Sequence, residues 1–549
     1  MRTSLTRPAG PLSHANNVRT LVLDSTKDLQ TMRARRKMAH RQRRLILDDD
    51  GDVVYDEEVE NGAQAFCQTR LADCLDTPVD SVAWCIMWGL GRTGRTSTRY
   101  WQTQMQGIPF QSNMPDPTPV LTRFYRQHDM EVFGSIRMND CHDAYGIPHG
   151  KLVYPLKVEH PEFLVGDVSE KGQVTSGLKA AMWSGLDYAH PAVREDRFWW
   201  IEHAASSYDL DGVDLNFFRM PWIFKTGEEA RNMSLMTDLM RRARTRLDDI
   251  GAQRGRPVLL GVRVPGTIET CLRIGLDIET WLEEGLVDRL LTGGGYAPFS
   301  TPAEELISLG HRHDVLVYPC INCGAIGIGS WAEALRGAAA NLWHAGADGL
   351  YLWNFHYIKA PSRSYGRPFP EAYQRLLEIG DPKKMAYEKK IFAVDATQPI
   401  LEQYRRASAP CPLPLELGAE AGSGPYRIPI RIGDDIPAVV RRGISCEVML
   451  RLQVAGGVDD DQLRIAFNST DAELATITDD EPRLEGSGQS RQDNDGEGSR
   501  WMELPIRPGA AKLGSNEFQI SIAQRGSGAR NNLTLKQVWV VVQYQTCPR

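Results

Sequence analysis

No run of 18 apolar residues occurs in this 549-residue sequence, so neither a membrane-spanning helix nor a membrane partner is expected. The opening stretch MRTSLTRPAGPLSHANNVRT lacks the apolar core of a secretory signal. The chain as written reads as cytoplasmic, or as secreted if an upstream leader precedes it. Cysteine is sparse: ten residues, at 67, 74, 85, 141, 271, 320, 323, 411, 446 and 547, are too irregularly spaced for a disulfide framework, and most are expected to be reduced and buried. Charge of one sign is lacking too. A net charge of −7 over this length gives no field favouring phosphate backbones, and no nucleic-acid partner is expected. The basic run RARRKMAHRQRR (33–44) leads directly into a buried-type strand and reads as a solvated helix or arm.

What is present is globular: 42% hydrophobic and 24% charged residues, in a chain too long for one ordinary core. Two domains and a tail are expected, as an N-terminal arm or helix (1–42), a barrel (43–400) and a sandwich (401–549). Eight short runs rich in Val, Ile and Leu alternate with helix-like stretches. They are RLILD (44–48), VAWCIMWG (82–89), VFGSIRM (132–138), GVDLNFF (212–218), VLLGVRV (258–264), VDRLLTG (287–293), VLVYPCI (315–321) and GLYLWNF (349–355). Helices are predicted over 197–208, 234–251, 301–313 and 330–346. Apolar strands buried on both faces and joined by crossover helices make a parallel sheet. Eight such units predict an α/β fold of the (β/α)₈ TIM-barrel type. An open doubly wound sheet is the alternative, but DDDGD stands where its glycine fingerprint would follow the first strand. Beyond the Pro-rich ASAPCPLPLEL (407–417), alternating runs such as YRIPIRI, CEVMLRLQV and QVWVVVQYQ predict a small antiparallel β-sandwich. Its acidic segment 479–499 reads as a loop.

Barrels place chemistry at the C-terminal ends of their strands. That rule selects Asp48, Asp49 and Asp50 after the first strand, and Arg137, Asn139, Asp140, His142 and Asp143 after the third. It also selects Asp214, Asn216 and Arg219 from the fourth, Arg263 from the fifth, and Trp353, Asn354 and His356 from the eighth. Strand periodicity turns Asp214 and Asn216 toward the barrel axis, where a buried carboxylate must be solvated, paired or used. An ion pair with Arg219 is the structural alternative. Carboxylates with amides and aromatics at one mouth suit glycoside hydrolysis, which needs a proton donor and a second carboxylate, with Tyr296, Tyr351 and Trp353 available to stack on sugar faces. A calcium loop at DDDGD is rejected because its first ligand position would be Ile46, and Cys320 and Cys323 lack a second pair for zinc. No cofactor is expected.

The run LDYAHPAVREDRFWWIEHAASSYDLDGVDLNFFRMPWIF (186–224) resembles the central signature of the glycosyl-hydrolase-like family 10 barrels. LDDDGD (47–52), SIRMNDCHDA (135–144), 261–291 and GADGLYLWNF (346–355) are similar to bacterial relatives of that group. The resemblance implies action on a carbohydrate, with the acids of the fourth strand at the functional centre. The sequence departs from that pattern at Asn216, where a second acid is implied. A partner for Asp214 must then come from elsewhere: Asp140 first, with Glu269 and Asp50 as alternatives. Arg137, Asn139, His142, Asn216, Arg219, Arg263, Tyr296, Trp353, Asn354 and His356 would bind the substrate. Asn216 also motivates a rival reading, a carbohydrate-binding barrel without catalysis. A metal-assisted hydrolase or lyase using Asp50, Asp140 and His142 is a third.

Overall fold

Each of the eight apolar runs forms a parallel strand in the computed structural model: β1 (Leu45–Asp49), β2 (Val79–Cys85), β3 (Glu131–Arg137), β4 (Gly212–Asn216), β5 (Leu259–Val264), β6 (Arg289–Thr292), β7 (Leu316–Asn322) and β8 (Leu350–Trp353). The structure describes residues 26–49, 67–86, 102–103, 117–144, 152–170, 178–293, 302–322, 331–353, 355, 371–396, 411–468, 473–476, 499–529 and 531–545. Every strand pairs with its sequence neighbours in the barrel, and β1 pairs with β8, so the sheet closes and leaves no edge. The crossovers carry α2 (Pro117–Gln127), α3 (Pro191–Ser207), α4 (Glu229–Arg254), α5 (Ile268–Arg273), α6 (Ile278–Glu283), α7 (Glu304–Arg312) and α8 (Trp331–His344). Local chemistry sets several helix ends. Pro191 stands at the start of α3, Thr267 and Thr270 form a reciprocal capping box on α5, and Gly255 ends α4 at φ 70°.

The basic run forms the second half of a helix, α1 (Thr26–Ala39), and the loop that follows it. Some of its charges pair with acids of the barrel. Arg35 reaches Asp288 at 3.1 Å, Arg36 reaches Asp314 at 2.6 Å, and Arg44 reaches Asp80 at 2.8 Å. Arg43 enters the barrel itself, pairing with Glu131 at 2.5 Å and donating to the Tyr318 hydroxyl at 3.2 Å and to the Ala39 carbonyl at 2.8 Å. Ala39 packs with Phe133 and Leu259 at the N-terminal end of the barrel. Arg33, Arg36, Lys37 and Arg41 are exposed, while Arg43 is buried and anchors the end of α1 to the barrel at Glu131.

Antiparallel strands follow the barrel in two sheets. One contains β9 (Lys390–Ala393), β10 (Leu415–Gly418), β12 (Ser445–Ala455), β15 (Arg500–Ile506) and β17 (Leu533–Gln545). The other runs β11 (Tyr426–Ile432), β16 (Gly514–Gln524), β13 (Gln462–Phe467) and β14 (Glu473–Thr476). Burial alternates along β12 and β16, as two facing sheets require. The sandwich takes in β9, which pairs with β17, so a strand ahead of the expected boundary at 400 belongs to it. β9 also lies against α8. A Cβ on Gly337 would stand 2.0 Å from the Ile391 carbonyl oxygen, so only glycine admits this approach. Gly337→Ala is expected to cost about 1–3 kcal/mol through forced separation of the two surfaces, read by urea unfolding of the full chain. Among the described residues, no helix is long and apolar enough to cross a membrane.

Candidate functional site

The barrel interior is built in rows that follow from strand register. The lowest row on one side is Phe133, Gly212 and Leu259. Above it lie Ser135, Asp214, Gly261 and Arg289, and above those Arg137, Asn216, Arg263 and Leu291. The period of two turns Asp214 inward, as the sequence predicts. It lies in the middle row, however, one step below the mouth.

Asp214 is 1% exposed and Arg289 is fully buried. Arg289 Nε donates to Asp214 Oδ1 at 2.9 Å, and Nη2 donates to Oδ2, so the pair is bidentate. Arg289 Nη1 reaches the Ser81 hydroxyl at 3.2 Å, and the guanidinium lies over the Phe133 ring. Between the partners lies Gly261, where a Cβ would stand 2.0 Å from Asp214 Oδ1. Asp214 therefore does not present an exposed carboxylate at the mouth, and the cation that pairs with it is Arg289 rather than Arg219. Arg289 was legible as a charge inside the apolar run VDRLLTG, which on a buried strand demands a partner.

The upper row and the strands opposite form the mouth. Arg137 donates to Asp140 at 2.6 Å, with both residues buried. Asn216 Oδ1 accepts from the Phe218 amide at 3.2 Å, which turns the chain at the end of β4. Asp48 accepts from the Tyr351 hydroxyl at 2.6 Å. The guanidinium carbons of Arg263 and Arg219 lie 4.9 and 5.4 Å from the centre of the Trp353 ring. Burial pushes the Cys320 thiol up to about 11 and the Tyr351 phenol well above its ordinary range, so both are neutral near pH 7. The structure thus brings together Asp48, Asp140, Arg137, Asn216, Arg219, Arg263, Tyr351 and Trp353 of the predicted residues. Trp353 is buried beneath the two guanidinium groups rather than presented as an open sugar platform.

Other predicted residues stand apart. Glu269 lies on the first turn of α5, its side chain 82% exposed and paired with Arg273 at 2.7 Å, so it is not gathered with Asp214. Asn139 is a clamp for the long third crossover rather than a free substrate ligand. Its amide nitrogen donates to the carbonyls of Leu186 at 2.9 Å and Trp222 at 2.5 Å, and its oxygen accepts from Leu186 N at 2.8 Å. These bonds occupy both N–H groups. Asn139→Ala is expected to strand three buried backbone groups, at about 1–3 kcal/mol for each left unmet, with faster hydrogen exchange at the Leu186 amide as the readout. Beside this clamp, Lys157 donates to Asp143 at 3.0 Å and Ser184 at 2.9 Å, fastening the same crossover. Asp50, Tyr296, Asn354 and His356 lie outside the described residues, as does the side chain of His142. Among the described residues, no three His, Cys, Asp or Glu side chains form a group suited to a metal ion.

No family model matches the chain, so the resemblance to the family 10 group is not matched at that level, and no curated protein matches it. Solved structures do. A maltogenic alpha-amylase from Thermotoga neapolitana is similar at 10% identity and a TM-score of 0.37, over 86% of this chain and 98% of that one. An alpha-L-fucosidase from Paenibacillus thiaminolyticus is similar at 12% identity and a TM-score of 0.37, over 64% of this chain and 51% of that one. The PgaB glycoside hydrolase domain from Bordetella bronchiseptica is similar at 12% identity and a TM-score of 0.37, over 62% of this chain and 99% of that one. At these values the likeness carries no inference about residues or substrate.

Proposed function

We propose that this chain is a glycoside hydrolase acting at the C-terminal mouth of its barrel. The observation that carries this reading is the gathering of Asp48 and Asp140 at strand ends with Arg137, Asn216, Arg219 and Arg263 and the rings of Tyr351 and Trp353. Asp140 is one catalytic carboxylate, kept in register by Arg137. Asp48 supplies the second. Asp214 acts at one remove, because its bond to Arg289 fixes the row on which Asn216 and Arg263 stand. Asp140→Asn is expected to lower kcat by about 10²–10⁴-fold on whichever member of an oligosaccharide panel the wild type cleaves. A kcat equal to that of the wild type would remove Asp140 from the mechanism.

A second reading has its own observation. Asn216 occupies the position where the resemblance implies an acid, and Asp214 is committed to Arg289. On that reading the barrel binds carbohydrate without cleaving it. Calorimetric binding of a sugar with no product after prolonged incubation would favour it; product release would dismiss it.

A further inference from the structure

Lys157 stands on the short helix Pro155–Glu159 of the third crossover, yet its side chain is only 4% exposed. Its ammonium donates to the Asp140 carbonyl at 2.6 Å, to Asp143 at 3.0 Å and to the Ser184 hydroxyl at 2.9 Å. Ser184 in turn donates to Asp143 at 2.7 Å. The Asp140 carboxylate is held separately, by Arg137 at 2.6 Å. Asp140 is thus fixed at both ends, its side chain by a residue of β3 and its carbonyl by a residue of the crossover. The neighbouring Cys141 thiol is fully buried and pushed up by that burial, with Lys157, Asp143, Asp140 and Arg219 all acting on it. Charges here act on one another with little water between them. The charged groups around Asp140 are Arg137 from β3, Arg197 from α3, Asp143 from the turn His142–Ala144 and Lys157 from the crossover helix. A buried ammonium is a costly fastener, because an apolar side chain of similar size would pack the crossover without its desolvation. What the ammonium adds is a fixed point at the Asp140 carbonyl and a positive field at its carboxylate.

We propose that Lys157 is a positioning residue for Asp140: it fixes the backbone of that residue while Arg137 fixes the carboxylate, and its charge favours the ionised form. An ionised Asp140 suits the nucleophile or base of glycoside hydrolysis rather than the proton donor. The task of Asp140 rests on the hydrolase reading above; the hold of Lys157 on Asp140 does not depend on turnover.

The test is the titration of the Asp140 carboxyl, followed by carbon-13 NMR in the full chain labelled at its aspartate carboxyls, with the resonance assigned by its loss in Asp140→Asn. Lys157→Met is expected to make Asp140 about tenfold weaker as an acid, because a neighbouring cation is lost while Asp143 remains. Should Lys157→Met fail to fold, Asp143→Asn is compared with Lys157→Met/Asp143→Asn, in which no carboxylate is stranded at 143, and the same weakening is expected. On an oligosaccharide that the wild type cleaves, Lys157→Met is expected to lower kcat by at least about tenfold with KM within about threefold of wild type. The acid limb of kcat/KM should move to higher pH, and Lys157→Arg should restore the limb and part of kcat. An unchanged Asp140 titration, or kcat and KM equal to those of the wild type, would each overturn the proposal. Cleavage by the wild type with an unshifted Asp140 in the variants would refute the role of Lys157 and leave the hydrolase reading standing. A shifted Asp140 in a chain that cleaves no member of the panel would keep the hold of Lys157 and remove the hydrolase reading.

Discussion

Arg289→Met is expected to destabilise the barrel by about 3–5 kcal/mol, because it leaves the Asp214 carboxylate buried without its partner. The side chain does more than neutralise Asp214. It crosses the interior from β6 to β4, reaches Ser81 on β2, and covers the Phe133 ring. Asp214→Asn alone should be costly for the converse reason, leaving a buried guanidinium. The double replacement should recover much of either loss, since the desolvation of both charges then disappears. A double-mutant cycle in urea reads this as a coupling energy, and additive losses would show that the two residues stabilise the barrel separately. Gly261→Ala belongs to the same unit, because its methyl group would occupy the space of Asp214 Oδ1. Its loss should persist in that double variant, because Asp214→Asn keeps an atom in the same place. Activity would fall in the single variants as well, through loss of the middle row on which the mouth is mounted.

Arg43→Met is the second large effect, again about 3–5 kcal/mol, from the stranded Glu131 carboxylate at the opposite end of the barrel. Its signature differs. Arg43 also donates to the carbonyls of Met38, Ala39 and Arg41, so it anchors the end of α1 to the barrel. Loss of the side chain should release α1 from the barrel floor, seen as proteolytic cleavage near residues 38–42 before global unfolding. The mouth lies at the other end, so kcat of the folded fraction should stay close to wild type. Loss of stability without faster cleavage at that junction would mean that α1 is held by Arg35 and Arg36 instead.

The barrel was legible because burial on both faces forces a compositional mark on every strand. All eight apolar runs correspond to barrel strands, with ends displaced by a few residues. The sandwich was legible for the same kind of reason, since alternation along CEVMLRLQV maps onto alternating burial in β12. Its boundary was not, because β9 is short and buried along its whole length, without the alternation that marks the longer sandwich strands. The acids and arginines of the mouth were also legible, from the rule that polar groups at strand ends gather there. Which acid pairs with which cation was not.

The sequence by itself determined the period of each element and therefore the face each side chain takes: Asp214, Asn216 and Arg263 inward, with Val213, Leu215 and Val262 toward the helices. Only the tertiary structure decided their height within the barrel, since height depends on register between strands far apart in sequence. Register sets Asp214 level with Gly261 and Arg289, one row too low for an open carboxylate, and sets Arg263 level with Asn216 at the mouth. The same long-range geometry brought Arg43, near the end of the basic run, to Glu131 at the barrel floor. In each case the physical reason is that a buried charge is settled by its nearest opposite charge, which closure of the sheet brings within reach.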